Sequence, residues 1–295
     1  MNYLQIRKQW YLLVVTVLVI TGVSINFSCA KEETPYDLTG KSLEILELKI
    51  LTKNFEQSRK FWIENLGLEL LPPQPPLLPN NFEFTVKVGN SRLHFVKANI
   101  APGMEDITFP QYHFAFNIPS NQIENALSWL QNYGNQFTDG PSTPVKIWVK
   151  EGTGAEIIRR DRYNAHSVFF SDPGGNMIEL VARHNLNNQQ EGNFNKSMFL
   201  NISEVAIVTK DVRESAKIIK DNFDVTEVPG TTSGFKPLGG ENGLIDLVVP
   251  GRPWEPTDSQ IATSWPMTIT IKHPVPVDVV IPETNFQEIL IRTQP

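Results

Sequence analysis

Residues 169–180 read FFSDPGGNMIEL and join two apolar runs through a tight turn. Proline fixes one φ angle and glycine permits positive φ, so the central DPGGN segment predicts a turn between two antiparallel strands. Side chains alternate along a strand, which places Glu179 on the face opposite to Ile178 and Leu180. A carboxylate at this position is either a solvated residue or, if that face lines a cavity, a metal ligand or a base.

The order of elements that ends in this hairpin occurs more than once. Residues 43–53 alternate as in a strand, a predicted helix follows and stops at Gly67, and two further strands meet at a Gly-Asn turn. A second copy spans residues 111–182, and a third begins near residue 202. Strands near the C-terminus predict a fourth copy that has lost its helix. Such repetition indicates stacked modules that share a sheet system.

Composition excludes several classes of protein. The chain has 295 residues, of which 40% are hydrophobic, enough for one large core or two ordinary ones. A net charge of −6 leaves no basic footprint, which argues against a nucleic-acid partner. The single cysteine excludes an intrachain disulfide.

Residues 1–29 predict an export signal. Arg7 and Lys8 precede an apolar run at residues 10–25, which is short for a spanning helix, and Cys29 follows it. A cysteine there indicates a bacterial lipoprotein lipidated at Cys29, whereas Asn26 and Phe27 are atypical of such signals. An uncleaved anchor and ordinary secretion stay open. We expect an exported protein, membrane-anchored through its N-terminus or free in the periplasm or medium, with a polar tether at residues 30–42.

The repeated β-α-β-β-β unit and its closing FFSDPGGNMIEL hairpin resemble the vicinal oxygen chelate superfamily of glyoxalases, fosfomycin-resistance proteins, bleomycin-binding proteins and extradiol dioxygenases. The resemblance implies an α+β fold in which tandem βαβββ modules form cupped mixed sheets with helices on the outer face. It predicts a paired glyoxalase-like domain at residues 43–184, a linker at 185–200 and a degenerate second glyoxalase-like domain at 201–295.

The superfamily takes metal ligands from the first and last strand of each module, on the concave face. The positions that match are Glu47, His94, His113 and Glu179. Two imidazoles and two carboxylates suit a divalent ion such as Zn, Fe, Mn, Ni or Co. The order departs from the commonest family pattern, because Glu47 comes first and His94 second. An ion pair between Glu47 and Lys49, with His94 as an ordinary strand residue, is the alternative.

Superposing the two halves of the chain pairs four further positions with this predicted site: Glu204, Asp246, Pro266 and Glu288 fall on Glu47, His94, His113 and Glu179 respectively. A proline cannot coordinate through its side chain. We therefore expect the second half to have a structural, substrate-shaping or dimer-forming role, which allows a homodimer.

Three further residues are weaker candidates for substrate binding. His166 and Tyr163 precede the closing strand and are placed to contact substrate or exchange protons at the rim. Arg160 belongs to a basic cluster at residues 159–162 that is suited to a carboxylate or phosphate, with a solvated loop as the alternative.

The resemblance favours a metal-dependent enzyme of the lyase or isomerase type acting on a small oxygen-chelating substrate. Glu47 or Glu179 would leave the metal to shuttle a proton. An extradiol-type dioxygenase is the alternative within the superfamily. The rival from another class is a metal-free small-molecule-binding protein, similar to bleomycin-resistance proteins, which predicts aromatic side chains along the cup.

Overall fold

The structure, a computed structural model, describes residues 35–36, 38, 42–73, 82–99, 111–133, 145–282 and 289–295. The predictions that concern Cys29 and Glu288 lie outside these residues. Among the described residues, no helix combines the length and apolar character needed to cross a bilayer.

Four modules follow one another along the chain. Module 1 consists of β1 (Ile45–Thr52), α1 (Phe55–Lys60, extended by a π-helical turn at Phe61–Asn65), β2 (Leu70–Leu71), β3 (Glu83–Val88) and β4 (Ser91–Lys97). Module 2 consists of β5 (His113–Ile118), α2 (Ile123–Tyr133), β6 (Lys146–Trp148), β7 (Ile157–Arg160), β8 (Ala165–Ser171) and β9 (Met177–Arg183).

The second half of the chain repeats this order in shortened form. Module 3 consists of β10 (Asn201–Val208), α3 (Val212–Asn222), β11 (Phe235–Gly240) and β12 (Gly243–Val248). Module 4 consists of β13 (Met267–Lys272), β14 (Asp278–Ile281) and β15 (Ile289–Gln294), and its described residues contain no helix. The predicted repeats and the α+β class are confirmed.

The modules do not pair in the order in which they occur along the chain. Strand β5 of module 2 pairs antiparallel with β10 of module 3, and β1 of module 1 pairs antiparallel with β13 of module 4. We call the surface formed by modules 1 and 4 cup 1, and that formed by modules 2 and 3 cup 2. The predicted linker at residues 185–200 separates modules along the sequence, but strands from both sides of it build each cup. The described residues from Pro35 onward belong to one compact unit.

Alternation along each strand separates the core from the cups. In β5, Phe114 and Phe116 are fully buried and pack around Trp62 of the α1 segment, with ring centroids 6.5 and 6.1 Å from the indole. His113 has the opposite parity and lines the cavity of cup 2, and Ala115 shares its parity. The apolar set drives the helix layer onto one side of the sheet and leaves the other side free for a site.

The hairpin at residues 169–180 forms as predicted and is fastened to the core. Strands β8 and β9 pair antiparallel, with Phe169 opposite Glu179. The turn closes on the buried Asp172, whose carboxylate accepts hydrogen bonds from the Asn176 backbone at 3.0 Å and the Trp62 indole at 3.2 Å. The sharp turn also requires Gly175, at φ +88°.

The polar residues before α2 and α3 make different contacts. The Asp211 carboxylate accepts hydrogen bonds from the backbone N–H groups of Arg213 and Glu214 and so caps α3. Asn121, which precedes α2, exchanges two hydrogen bonds of 3.1 Å with the backbone of Gln190. Its side chain thus links the start of α2 to a distant loop.

Candidate metal site in cup 2

A cavity of about 90 Å³ opens between the concave faces of modules 2 and 3. Its floor carries four acidic or imidazole side chains, each from a different strand: His113 on β5, Glu179 on β9, Glu204 on β10 and Asp246 on β12. Three of the four are less than 10% exposed, and Glu204 is partly buried. Polar side chains buried in this way require partners or a ligand.

Strand register brings the carboxylates together. Glu204 lies opposite Ala115 across the β10–β5 pair, and Ala115 lies opposite Glu179 across β5–β9. Ala115 is fully buried and ends at its methyl group, so it leaves open the space between the two longer side chains. Asp246 enters from β12, where it lies opposite Ala206. Two small residues, Ala115 and Ala206, therefore lie next to the acidic side chains along the floor.

A backbone contact orients the imidazole of His113. Its Nδ1 lies 3.1 Å from the carbonyl oxygen of Met177, which can only accept, so Nδ1 carries the proton. Burial lowers the pKa of His113, which keeps the ring neutral. The Nε2 lone pair then faces Glu179, 3.7 Å from its Oε2. A carbonyl that fixes the far nitrogen is the usual partner of a metal-binding histidine.

The distances leave room for one cation. Ligand atoms of His113, Glu179 and Glu204 all lie within 4.8 Å of one another. Donor atoms about 2.0–2.2 Å from one ion lie roughly 3–4 Å apart, so this spacing fits a shared ion. A lone pair and two carboxylates facing one another repel unless a positive charge or a proton lies between them. The donor set therefore fits a divalent metal.

The carboxylates perturb each other. Burial, together with the nearby Glu204 carboxylate, raises the pKa of Glu179 to about 7. Burial, together with the nearby Glu204 and Glu179 carboxylates, also raises the pKa of Asp246 well above its usual range. Arg183, itself fully buried, forms an ion pair with Glu204 and donates from Nε to Asn117 Oδ1 at 3.1 Å. One arginine pairs with one of the three acids, and the raised pKa values of the other two show that their ionised forms are unfavourable without a metal.

Arginines and aromatic rings surround the floor. Arg160 lies over the Phe169 ring at 5.4 Å and forms an ion pair with Glu255. Arg252 lies over the Phe235 ring at 4.7 Å. The Trp254 ring lies 5.2 Å from that of His113, between centroids. The wall is thus apolar and carries two guanidinium groups.

The structure divides the sequence-predicted metal residues between the two cups. His113 and Glu179 face each other in cup 2. Glu47 and His94 lie on paired strands of cup 1 and do not line this cavity. There, Glu47 Oε2 lies 2.9 Å from Arg92 Nε, and His94 Nε2 lies 3.2 Å from a Glu83 oxygen. The described structure therefore does not bring the predicted four together.

The three weaker candidates also separate. Tyr163 and Arg160 line the cavity. His166 has the parity of the outer face of β8, and its Nδ1 lies 2.6 Å from Nε2 of His184 on the surface. Burial and the nearby His184 lower the pKa of His166. The sequence predicts His166 at the rim of the site, whereas its position on β8 places it on the face of the strand opposite to the cavity.

Glu204 and Asp246 complete the floor and were absent from the predicted site. Superposition of the repeats had marked both positions. The sequence alone places both residues in a degenerate copy, because Pro266 cannot be a ligand and because it predicts pairing between modules that are neighbours along the chain. The signal that could have found them is that module 3 keeps a carboxylate at both of its ligand positions, whereas module 4 does not.

This arrangement of paired βαβββ modules around a cup is the vicinal oxygen chelate fold, as the sequence resemblance predicted. No protein-family model matches the sequence, and no curated protein matches it.

Solved structures show the likeness. A provisionally assigned dioxygenase from Bacillus subtilis aligns with a TM-score of 0.53 and 13% identity over 86% of each chain. Glyoxalase I from Zea mays gives a TM-score of 0.45 and 12% identity over 86% of this chain and 93% of its own. Lactoylglutathione lyase from Agrobacterium tumefaciens gives a TM-score of 0.32 and 19% identity, with 46% of this chain and 91% of its own covered. At 13% identity, the likeness to the Bacillus subtilis structure concerns the fold alone.

Proposed function

We propose that this protein is a divalent-metal-dependent enzyme of the lyase or isomerase type that acts on a small substrate through two neighbouring oxygens. The observation that carries the proposal is the group of His113, Glu179 and Glu204, with ligand atoms within 4.8 Å at the floor of a cavity. A cavity that combines convergent polar groups, apolar walls and perturbed pKa values is the usual form of an active site.

The three residues of this group would hold the ion, and Asp246 lies beside them. Bound there, the ion would act as a Lewis acid that stabilises negative charge on substrate oxygens. Carboxylate donors outnumber the imidazole, and carboxylates suit manganese better than zinc or copper. Among the ions that the sequence allows, Mn²⁺ is therefore our first choice.

We assign proton transfer to two carboxylates of cup 2, those of Asp246 and Glu179. Asp246 lies beside the three-residue group and not in it, and we assign to it the role of accepting a proton from substrate. Glu179 keeps the shuttle role expected from the sequence, whereas Glu47 does not line the cavity. Neutral His113 holds its own proton on the Met177 carbonyl and is thus a fixed ligand rather than a proton carrier.

The donor set favours lyase or isomerase chemistry over ring-cleaving dioxygenation. Non-haem iron oxygenases use two histidines and one carboxylate as ligands. The described lining of this cavity contains one histidine, His113. The other four histidines of the chain all lie in the described regions and outside this lining.

A metal-free binding protein is the second candidate. The aromatic side chains Phe169, Phe235 and Trp254 line the cavity, which is what a protein that sequesters a small flat molecule requires. The two candidates differ in whether the acidic floor binds an ion with defined stoichiometry.

Metal analysis of untagged protein separates them. After reconstitution with Mn²⁺ and removal of excess, the wild type should retain about one ion per chain, and His113→Ala should retain at least tenfold less. The matched control is His94→Ala, which removes an imidazole from cup 1 and should keep the full content. Absence of stoichiometric metal in the wild type would reject the enzyme proposal and leave the binding protein.

A further inference from the structure

We propose that the substrate carries an anionic group, a carboxylate or a phosphate-type group, which binds Arg252 at the mouth of cup 2, and a flat apolar body that packs on the aromatic wall. This inference rests on the proposed function, because the bound metal determines the charge that the substrate meets.

Arg252 is the guanidinium of the cavity that forms no ion pair with a carboxylate among the described residues, although the nearby Asp246 carboxylate favours its charged form. Arg183 is paired with Glu204, and Arg160 is paired with Glu255. Within the described part of the chain, no carboxylate lies within the 4.0 Å ion-pair distance of Arg252, whose described hydrogen bond is a long one of 3.4 Å to its neighbour's carbonyl. Its planar donor group is therefore free to bind a carboxylate or phosphate in a bidentate manner.

The positive charge of Arg252 is destabilising without a bound anion, because the side chain is partly removed from water. The side chain is half-buried, and its Cζ lies over the Phe235 ring, 4.7 Å from the ring centroid. Burial lowers the pKa of Arg252, as expected for a cation that is partly removed from water. An anion placed against it would offset the lost hydration.

The net charge of the metal-loaded cavity also favours an anionic substrate. Glu179, Glu204 and Asp246 bring three negative charges when ionised, and Arg183 offsets one of them. A divalent ion offsets the remaining two. His113 is neutral, and the Arg160–Glu255 pair sums to zero. Arg252 then leaves the loaded cavity with one excess positive charge, which fits a substrate with one negative charge beyond its metal-binding oxygens.

The wall defines the rest of the substrate. Phe169, Phe235 and Trp254 line the cavity, and an aromatic lining favours a flat, apolar body. Trp254 is 3% exposed, and its indole N–H has no hydrogen-bond partner among the described residues. A polar substrate atom at that ring would satisfy a buried donor. The cavity volume of about 90 Å³ limits the enclosed part to a small body.

Three catechols test the proposal on Mn²⁺-loaded protein. Catechol offers two neighbouring oxygens and a flat ring, 3,4-dihydroxybenzoate adds a carboxylate, and 3,4-dihydroxybenzamide is its neutral isostere. Titration calorimetry should show that the wild type binds the benzoate about tenfold or more tightly than the benzamide, because a charge-assisted bidentate bond is a strong one. Arg252→Gln should reduce this ratio to about one and change benzamide binding less than about twofold.

Arg159→Gln is the matched control, because Arg159 is an exposed arginine whose partner is Asp161 and which does not line the cavity. It should preserve the wild-type ratio. Equal affinities of the wild type for benzoate and benzamide, or an unchanged ratio in Arg252→Gln, would overturn the anion site while the metal site stands. Failure of all three catechols to bind loaded protein would also overturn it. Failure to bind Mn²⁺ at all would reject the proposed function, and this inference with it.

Discussion

Ala115 lets two carboxylates share one site. It is fully buried, lies in register between Glu204 and Glu179, and contributes a methyl group where a longer side chain would fill the gap. The acidic residues around it are unfavourable without a ligand, since burial opposes their ionisation. The floor of cup 2 therefore destabilises the metal-free protein, a pattern typical of functional sites.

The first prediction concerns Ala115→Val, which removes no proposed ligand. The added methyl groups should occupy the space between the carboxylates and reduce Mn²⁺ affinity at least tenfold, while overpacking destabilises the fold by about 1–3 kcal/mol. Calorimetric titration with Mn²⁺ and the far-UV circular dichroism spectrum report the two effects separately. A folded variant with wild-type affinity would show that the ion does not bind between Glu204 and Glu179.

The second prediction concerns the pH dependence of stability in the metal-free protein. Burial raises the pKa of Glu179 from 4.5 to about 7, so the folded state binds its proton more tightly than the unfolded state. Stability from this group is therefore fully present below about pH 4.5 and is lost as pH rises through about 7, on the order of 3 kcal/mol. Glu179→Gln should remove most of this loss.

Denaturant unfolding in the presence of a chelator measures the pH dependence of the stability of the metal-free protein. The wild type should lose stability between about pH 5 and pH 8, and Glu179→Gln should lose clearly less. The two proteins should differ most at the alkaline end. A variant that is less stable than the wild type at about pH 8 would mean that the Glu179 carboxylate is favourable in the folded protein even without metal.

At the scale of elements, two hairpin turns fasten modules 1 and 3 to each other in equivalent ways. The β3–β4 turn at Gly89 approaches the backbone of Leu200, and the β11–β12 turn at Gly243 approaches that of Leu43. A Cβ atom at Gly89 would lie 1.9 Å from the Leu200 carbonyl oxygen, and one at Gly243 would lie 2.1 Å from that of Leu43. Each turn therefore requires glycine for contact with the other module.

The third prediction follows from these turns. Gly89→Ala introduces both a strained φ of +55° and a clash with backbone, so we expect a loss of about 3 kcal/mol or more in the free energy of unfolding. Gly152→Ala is the matched control, because Gly152 has φ +78° and nothing within 4 Å of the added atom. It should lose about 1 kcal/mol. Equal losses in chemical denaturation would show that the turn does not contact module 3.

The sequence predicts elements better than it predicts their partners. Alternation specifies which face of a strand is apolar, and turn residues specify a hairpin, so the 169–180 hairpin and the cavity-facing Glu179 follow from local rules. Which module pairs with which depends on contacts between distant strands, and alternation carries no information about them. This is why His113 and Glu179 were expected beside Glu47 and His94, whereas the structure gives them Glu204 and Asp246.

At the scale of the whole molecule, the two cups have different contents. The floor of cup 2 carries one imidazole and three carboxylates, while the ligand positions of cup 1 are occupied in module 1 by the Glu47–Arg92 and His94–Glu83 pairs. An ion held by β5, β9 and β10 would link modules 2 and 3 through side chains as well as through the sheet. Metal binding should therefore stabilise the whole protein.

The fourth prediction concerns metal removal. Chelation of metal-loaded wild type should lower the melting temperature by several degrees, because an ion present at 100 times its dissociation constant contributes about 2.7 kcal/mol. The effect should vanish in His113→Ala and persist in His94→Ala. Differential scanning calorimetry with and without chelator provides the measurement. An equal shift in both variants would place the stabilising ion elsewhere.

The fifth prediction concerns residues 1–29, for which we propose export with lipidation at Cys29. Mass spectrometry of the mature protein should show a chain that begins at a lipid-modified Cys29, and Cys29→Ser should release the protein from the membrane fraction. Full-length, unmodified protein in the cytoplasm would contradict the proposal. Export would place cup 2 outside the cytoplasm, where its substrate and metal must be present.

The most direct test of the central claim is a crystal of the protein grown with Mn²⁺ and measured at a wavelength where manganese scatters anomalously. Our account predicts one strong anomalous peak in cup 2, within coordination distance of His113 Nε2 and of Glu179 and Glu204 carboxylate oxygens. A peak at Glu47 and His94 in cup 1, or no peak in cup 2 at full Mn²⁺ saturation, would contradict it.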